Sequence, residues 1–221
     1  MNKPADGTRR TPLSRERVLR AAVAFADAEG TDALSMRRLA QELGVVPMAL
    51  YKHVANKDEL LDGMVDLVVG EIGPPGEGGW QHVVRERILS ARRTLRGHPW
   101  VARVVESRPA PTPALLGYLD SMAGLFRAGG FSVDLTHHAM HAMGSRLLGF
   151  SQELFDDTAA PPDPEVLAQL ARAYPHIAEL AGSAEHDAGS AVGGCDDQAE
   201  FEFALDLLLD GLERLRAGGR R

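Results

Sequence analysis

Apolar residues recur at intervals of three and four positions in several segments at the start of the chain, which is typical of amphipathic helices. In the first segment, Val18, Ala22 and Phe25 lie about one turn apart. Serine, asparagine and glycine residues separate the segments at positions where helices commonly begin or end. The candidate caps are Ser14, Ser35 and Asn56, and the candidate end points are Gly30 and Gly44. This pattern predicts helices from Ser14 to Gly30 and from Ser35 to Gly44, a third from about 47 to 53, and a fourth that starts at Asn56.

The second part of the chain also has helical periodicity. It begins after Gly-Pro-Pro-Gly-Glu-Gly-Gly at 73–79, a run that predicts a loop. Pro175 is expected to interrupt or end one of the later helices. No segment alternates as a strand would, and no internal repeat is present. The predicted fold class is therefore all-α, with the helices packed as a bundle. The later helices are predicted at about 80–96, 99–106, 112–128, 133–155, 164–180 and 197–217.

Length and composition narrow the class of protein. The 221 residues are 44% hydrophobic, which is enough to build a core, and no apolar run is long enough to span a membrane. The first residues have no apolar stretch of the kind found in secretory signals, and 1–13 are expected to be a flexible arm. Cys195 is the only cysteine, which excludes an intramolecular disulfide. These features predict a soluble cytoplasmic protein with no membrane partner.

The net charge of −7 argues at first against a nucleic-acid partner, but the charge is unevenly distributed. Residues 1–57 hold ten Lys or Arg and six Asp or Glu, a net charge of +4. Residues 58–221 hold fourteen Lys or Arg and twenty-five Asp or Glu, a net charge of −11. A basic end on an acidic body is typical of a DNA-binding head joined to a domain that does not bind DNA. Chance clustering beside a basic tail is the alternative.

Two short helices around Gly44 have the layout of a helix-turn-helix, a motif that sets one helix into the major groove of DNA. Leu39, Leu43, Val45 and Leu50 are expected to pack the two helices together. Polar and small residues on the other face are then left to meet phosphates and base edges. The alternative is the solvated surface of an ordinary helical hairpin. The candidate DNA-binding residues are Arg37, Pro47, Met48, Ala49, Tyr51, Lys52, His53 and Lys57.

The same stretch resembles the DNA-binding domain of the tetracycline-repressor (TetR) family. The likeness is most specific in Leu-Ser-Met-Arg-Arg-Leu-Ala-Gln-Glu-Leu-Gly at 34–44 and Leu-Tyr-Lys-His-Val-Ala-Asn-Lys-Asp-Glu-Leu-Leu at 50–61. Weaker likeness continues through Trp80-Gln, Ser107-Arg-Pro and Gly130-Phe-Ser to the segment at 203–213. It implies an arm at 1–13, a three-helix helix-turn-helix domain at 14–72 with its motif at 35–54, and a regulatory and dimerisation domain at 73–221.

The resemblance implies a transcriptional regulator, a repressor in most of the family, that binds a palindromic operator as a homodimer. A small-molecule effector in the C-terminal helical bundle would release the DNA. The helices at 133–155 and 197–217 would form the dimer interface, through Leu147, Leu205, Leu208, Leu209 and Leu212. The alternative is that this apolar stripe covers the core of its own chain.

The effector cannot be read from the resemblance. Where tetracycline repressors place histidines that hold a metal–drug complex, this chain has Val104 and Ser145, although Glu153 matches. A tetracycline–magnesium complex is therefore not expected, and the effector stays unidentified. The pocket is expected between the helices of 80–155. Its candidate lining residues are Trp100, Met122, Phe126, His138, His141, Met143, Phe150 and Glu153.

His137, His138 and His141 offer an alternative function, because two histidines four positions apart share a helix face and can bind a metal. No third ligand is evident, so core, interface or effector-binding roles are preferred and neither metal nor cofactor is expected. The carboxylate pairs Asp156–Asp157 and Asp196–Asp197 and the isolated Cys195 are interpreted as loop residues, so no enzyme is expected. An all-α metal protein or enzyme, and a dimeric scaffold that no longer binds DNA, stay open as alternatives.

Overall fold

The computed structural model describes residues 12–148, 164–176, 178–179 and 197–219, all of them in helices or the segments between helices. The chain divides into two compact units between Phe131 and Ser132. The first unit contains α1 (Arg15–Glu29), α2 (Met36–Glu42), α3 (Pro47–Leu50), α4 (Lys57–Val69), α5 (Trp80–Gly97), α6 (Trp100–Glu106) and α7 (Pro113–Ala128). The second contains α8 (Val133–Leu148), α9 (Pro164–Ala173) and α10 (Asp197–Ala217). The all-α prediction is confirmed, and the loop at 73–79 lies between α4 and α5.

The predicted caps begin the helices as expected. The Oγ atoms of Ser14 and Ser35 accept hydrogen bonds of 3.2 Å from backbone N–H groups three residues on, and Oδ1 of Asn56 accepts one of 2.8 Å. Each residue has the extended backbone that an N-cap needs. Because the first N–H groups of a helix have no partner within it, these side chains fix the three starting points.

Two helices end before their predicted limits. The third helix ends at Leu50 instead of His53, because the backbone N–H of His53 bonds to the carbonyl of Leu50 as a turn rather than an α-helix. The helix predicted at 164–180 ends at Ala173, and helical structure is seen again at 175–176 and 178–179, so the expected interruption at Pro175 is confirmed. The helix predicted at 133–155 is seen from Val133 to Leu148, and its remainder lies outside the described residues.

α4 is shared by two groups of helices in the first unit. It packs against α1 on one side and against α5, α6 and α7 on the other. Leu60, Met64, Val65 and Val68 are fully buried along it. A helix that is buried on most of its circumference cannot shift without disturbing both sets of neighbours. α4 therefore joins the helix-turn-helix mechanically to the helices that follow it.

α5 and α7 pack antiparallel in the same unit. At one end the ring of Trp80 lies 6.0 Å from that of Phe126 and 4.6 Å from that of Phe131. About two turns farther along α5, the Arg87 guanidinium lies over the ring of Tyr118, 5.0 Å from its centroid. The interface therefore changes from purely aromatic to charged and polar along its length.

The second unit is built around α8 and α10, which pack together. Arg146 of α8 donates a 3.1 Å hydrogen bond to the carbonyl of Glu200, and its guanidinium lies 4.9 Å from the Phe201 ring centroid. Ser132 caps α8, where its Oγ accepts from the backbone N–H of Leu135. No helix in the described part of the chain is long and apolar enough to cross a membrane.

Candidate nucleic-acid interface

The turn between α2 and α3 is fixed by backbone geometry. Gly44 has φ +65°, a left-handed conformation that glycine adopts without steric cost. Its N–H bonds to the carbonyl of Gln41 at 3.1 Å, and the N–H of Val45 bonds to that of Ala40 at 2.9 Å. These two bonds form a Schellman motif, which closes the C-terminus of a helix. The angle between α2 and α3 is therefore set by the glycine and by two carbonyls of α2.

Apolar residues on the inner face of the motif pack the two short helices against the rest of the unit. Leu39 and Leu50, predicted to face inward, have no exposed surface, while Leu43 and Val45 are half-buried. Leu34 and Val54, on either side of the motif, are also buried. A helix of four residues is too short to be stable alone, so these contacts, and not the helix's own hydrogen bonds, fix α3.

The opposite face of α3 is open to solvent. Met48 is 70% exposed and Tyr51 is 45% exposed, and Pro47 and Lys52 are exposed as predicted. Ala49 and His53, which were also predicted to face outward, are half-buried. Val46, which sequence reasoning did not select, is 68% exposed beside them. The face therefore combines uncovered apolar groups with a phenol and an ammonium.

The adjacent arginines of α2 have different environments. The guanidinium of Arg38 pairs with Glu29 at 2.6 Å, donates to the carbonyl of Ala33 and lies 4.8 Å from the ring centroid of Phe25. Arg37 is exposed, and its side chain makes no hydrogen bond or ion pair within the part of the chain that the structure describes. Arg38 is thus occupied within the protein, while Arg37 keeps its donors for a partner.

Lys57 stands at the first position of α4. Its Nζ donates to the carbonyl of Thr31 at 3.3 Å, which ties α4 to the connector between α1 and α2. An ammonium has three donors, so two are left for another acceptor. Glu59 stabilises the same end of the helix, because its Oε2 accepts from the backbone N–H of Ala55 at 2.7 Å. Lys57 is therefore held at the edge of the motif while it stays exposed.

This arrangement suits double-stranded DNA. Guanidinium, ammonium and phenol groups donate to phosphate oxygens, and uncovered methyl and thioether groups can contact thymine methyls in the major groove. The face is therefore competent to bind a polyanion by its geometry and its chemistry.

The predicted effector residues do not form one group within a single unit. Trp100, Met122 and Phe126 are buried in the first unit, and Nε1 of Trp100 is already bonded to Asp27 at 2.7 Å. In the second unit Met143 is buried, whereas His138 and His141 are exposed. Phe150 and Glu153 lie outside the described residues. The pocket built from these residues stays a prediction.

The histidines of α8 lie close together on its surface. The ring centroids of His137 and His141 are 4.5 Å apart, and those of His137 and His138 are 5.8 Å apart. Among the described residues, no three His, Cys, Asp or Glu side chains come together to hold a metal ion. Cys195, Asp156, Asp157 and Asp196 lie outside the described residues.

The leucines predicted for the dimer interface fall into two classes. Leu205, Leu209 and Leu212 are buried within one copy. Leu147 and Leu208 are half-buried. Phe203 and Leu207 of α10, which were not predicted, are more than half exposed. The interface through these leucines stays a prediction.

Comparison with known proteins covers almost the whole chain. The profile of bacterial regulatory proteins of the tetR family matches residues 18–64, and that of the tetracyclin repressor-like C-terminal domain matches residues 72–216. The transcriptional repressor DrrR1 of Streptomyces coeruleorubidus is 32% identical, with 99% of this chain and 83% of DrrR1 covered.

Solved structures of two regulators are similar in fold. The TetR family protein ActR of Streptomyces coelicolor, in complex with actinorhodin, has a TM-score of 0.68 at 30% identity and covers 95% of this chain and 100% of its own. BioQ, bound to its double-stranded DNA operator, has a TM-score of 0.61 at 26% identity. The match covers 91% of this chain and 98% of BioQ. With the helix-turn-helix geometry, these matches show that the chain belongs to the TetR family of DNA-binding transcriptional regulators.

Proposed function

We propose that this protein represses transcription as a homodimer that binds a palindromic operator and leaves it when a small organic molecule binds its C-terminal region. The family membership supports the class of regulator. The observation that carries the proposal is the face of α3, where Met48, Tyr51 and Lys52 are exposed above a turn that the backbone has already fixed. Its function is binding and not catalysis, and it acts in the cytoplasm, where the chromosome lies.

The proposed DNA contacts divide by chemistry. Arg37, Lys52 and Lys57 bind phosphates and Tyr51 donates its hydroxyl to the backbone, while Met48 reads base edges. A single four-residue helix covers only a few base pairs, so useful affinity requires two heads on two half-sites. We propose that the second copy docks on the exposed side of α10, near Phe203 and Leu207, with the half-buried Leu147 and Leu208 beside it.

α4 is the proposed route from the effector to DNA. One face carries Asp58, Asp62 and Asp66 at successive turns, and Arg108, after α6, pairs with the first two at 2.9 and 3.1 Å. Asp66 Oδ1 accepts a 3.0 Å hydrogen bond from the backbone N–H of Ala114 in α7. A shift of α6 or α7 is thereby transmitted to the helix that begins at Lys57.

The DNA-binding step is tested with the DNA upstream of the protein's own gene in an electrophoretic mobility-shift titration. The Tyr51→Ala, Lys57→Ala double variant is expected to raise the Kd about 100-fold, since each lost contact contributes roughly 1–3 kcal/mol. Lys57→Ala alone is expected to flatten the dependence of log Kd on log salt by about one unit. Glu16→Gln, at an exposed position of α1, serves as the control. Normal binding by the double variant would overturn the proposal.

The coupling step is tested by comparing two arginines that pair with aspartates. Arg108→Ala removes a contact in which the arginine is only 13% exposed, whereas Arg103→Ala removes its ion pair with Asp32, whose two side chains are each more than 70% exposed. Arg108→Ala is expected to weaken operator binding roughly tenfold although it touches neither α2 nor α3, and Arg103→Ala to change it less than about twofold. Equal operator affinities for the two variants would exclude the route through Arg108.

A further inference from the structure

Arg87 is a buried cation that pairs with no carboxylate among the described residues. Its side chain is on the inner face of α5, and the residue is 8% exposed. One Nη donates to the carbonyl of Gly73, and Nε has no hydrogen-bond partner among the described residues. No Asp or Glu in that part of the chain forms an ion pair with it. Burying a charge without a counter-charge is costly, so such a residue is usually kept for a reason other than stability.

Tyr118 is the second unsatisfied polar group at this place. It is also 8% exposed, its ring lies under the Arg87 guanidinium, and its hydroxyl has no hydrogen-bond partner within the described chain. Burial raises the pKa of Tyr118 to about 12, and the nearby Arg87 offsets only part of that rise. The phenol is therefore neutral at physiological pH and keeps a proton to donate. The Nε of Arg87 and the hydroxyl of Tyr118 are thus two buried donors close together, and neither has an acceptor among the described residues.

The surroundings of this pair are apolar on one side. Val84 and Met122 lie one turn away on the same faces of α5 and α7, and both are buried. Beyond them stand Trp80, Phe126 and Phe131, whose rings are in mutual contact. A molecule held here would meet two donors at one end and hydrocarbon at the other.

We propose that Arg87 and Tyr118 form the recognition site for the effector, and that the effector is a small organic acid with a carboxylate on an aromatic body. The carboxylate would accept from the guanidinium and from the phenol hydroxyl, and the aromatic body would lie toward Met122. This inference rests on the proposed ligand control, because it names the chemistry of that ligand. A guanidinium fork fits a planar carboxylate better than an uncharged amide.

The test uses benzoate, naphthoate and anthracene carboxylate, each paired with its neutral amide, and measures binding to the full-length DNA-free protein by calorimetry. At least one acid is expected to bind more than about tenfold tighter than its amide. Arg87→Met should weaken that acid about 10- to 100-fold and change the amide less than about threefold. Tyr118→Phe should weaken the acid by a smaller factor, and Arg93→Met, an exposed arginine on the same helix, should leave both affinities unchanged.

Several results would overturn the site. These are no binding of any acid, equal binding of acid and amide, or an acid affinity that survives Arg87→Met. A purely structural Arg87 would instead show as a lower Tm of the Arg87→Met protein with an unchanged ratio of acid to amide affinity. The proposed function is judged separately, by adding the bound acid to the operator complex. If the acid binds at Arg87 but does not release DNA, the site stands and the ligand control by this acid fails.

Discussion

The helix-turn-helix and the interior of the first unit each hold an arginine that forms no ion pair among the described residues, and the two arginines differ in their exposure. Arg37 is exposed on α2, where water solvates its charge. Arg87 is buried between α5 and α7, where water reaches little of it. Arg38 and Arg108 show the ordinary arrangement, since both are paired with carboxylates of the same chain.

The difference indicates what kind of partner each region accepts. An exposed cation costs little to keep, is screened by salt and suits a long polyanion that many such groups attract together. A buried cation is costly to keep and interacts strongly over a short range, which suits one small anion held in a fixed place. An exposed cation is therefore suited to a polyanion, and a buried cation to a single small anion.

The largest expected effect concerns the interior and can be measured through pH. Because burial raises the pKa of Tyr118 from 10.0 to about 12, its neutral form is favoured in the folded state. The resulting stability is fully present below pH 10 and is lost as pH rises toward 12, at up to about 1.4 kcal/mol per pH unit. Urea denaturation of wild-type and Tyr118→Phe protein at intervals from pH 9 to 12 measures it. Parallel curves for the two proteins would mean that the phenol is accessible to water.

A second comparison concerns the backbone conformation of two glycines, one in the turn between α2 and α3 and one in α7. A Cβ on either Gly44 or Gly117 would meet no atom within 4 Å, but only Gly44 has a positive φ. Gly44→Ala is therefore expected to destabilise the protein by about 1–2 kcal/mol through backbone strain alone. Gly117→Ala, in the middle of α7, is expected to stabilise it by roughly 0.5–1 kcal/mol. Thermal unfolding of both variants checks the signs, and equal shifts would contradict the role given to the turn.

The smallest effect distinguishes a free arginine from a paired one in the head. Arg37→Ala is expected to raise the operator Kd roughly tenfold, since one phosphate or base contact is lost, without changing Tm. Arg38→Ala is expected to lower stability by about 0.5–1 kcal/mol, because it removes a half-exposed ion pair and a cation–π contact. Mobility-shift titration and calorimetry on both variants give the two readouts. The interpretation fails if the two arginines exchange these effects.

The head was predictable because its signals are local. Ser35, Gly44 and Asn56 act on backbone groups within a few residues of themselves, so the sequence pattern locates the helices and the turn between them. The end of α3 was placed too far along the chain, since the residues after Leu50 continue as a hydrogen-bonded turn that the sequence pattern does not distinguish from a helix. The different environments of Arg37 and Arg38 were predictable only in part. The sequence pattern selects Arg37 as a candidate DNA-binding residue, but it does not indicate the ion pair between Arg38 and Glu29.

The body was less predictable because its signals come from residues far apart in the chain. A sequence signal for Arg87 did exist: it shares an apolar helix face with Val83, Val84, Ile88 and Ala91. That pattern gives no reason to connect it with Tyr118, thirty-one positions later, which only the packing of α5 on α7 brings to its side. Similarly, the leucine pattern of α10 could not separate Leu205, which is fully buried, from Leu208, which is half-buried.

The sequence by itself determined the helical fold class, the caps, the glycine turn and the likeness to one family of regulators, because these depend on local propensity, spacing and residue identity. Tertiary structure alone decided which charged groups are satisfied within the chain and which are not. Whether a cation has a partner depends on distances and burial between distant segments, and no local pattern encodes those quantities.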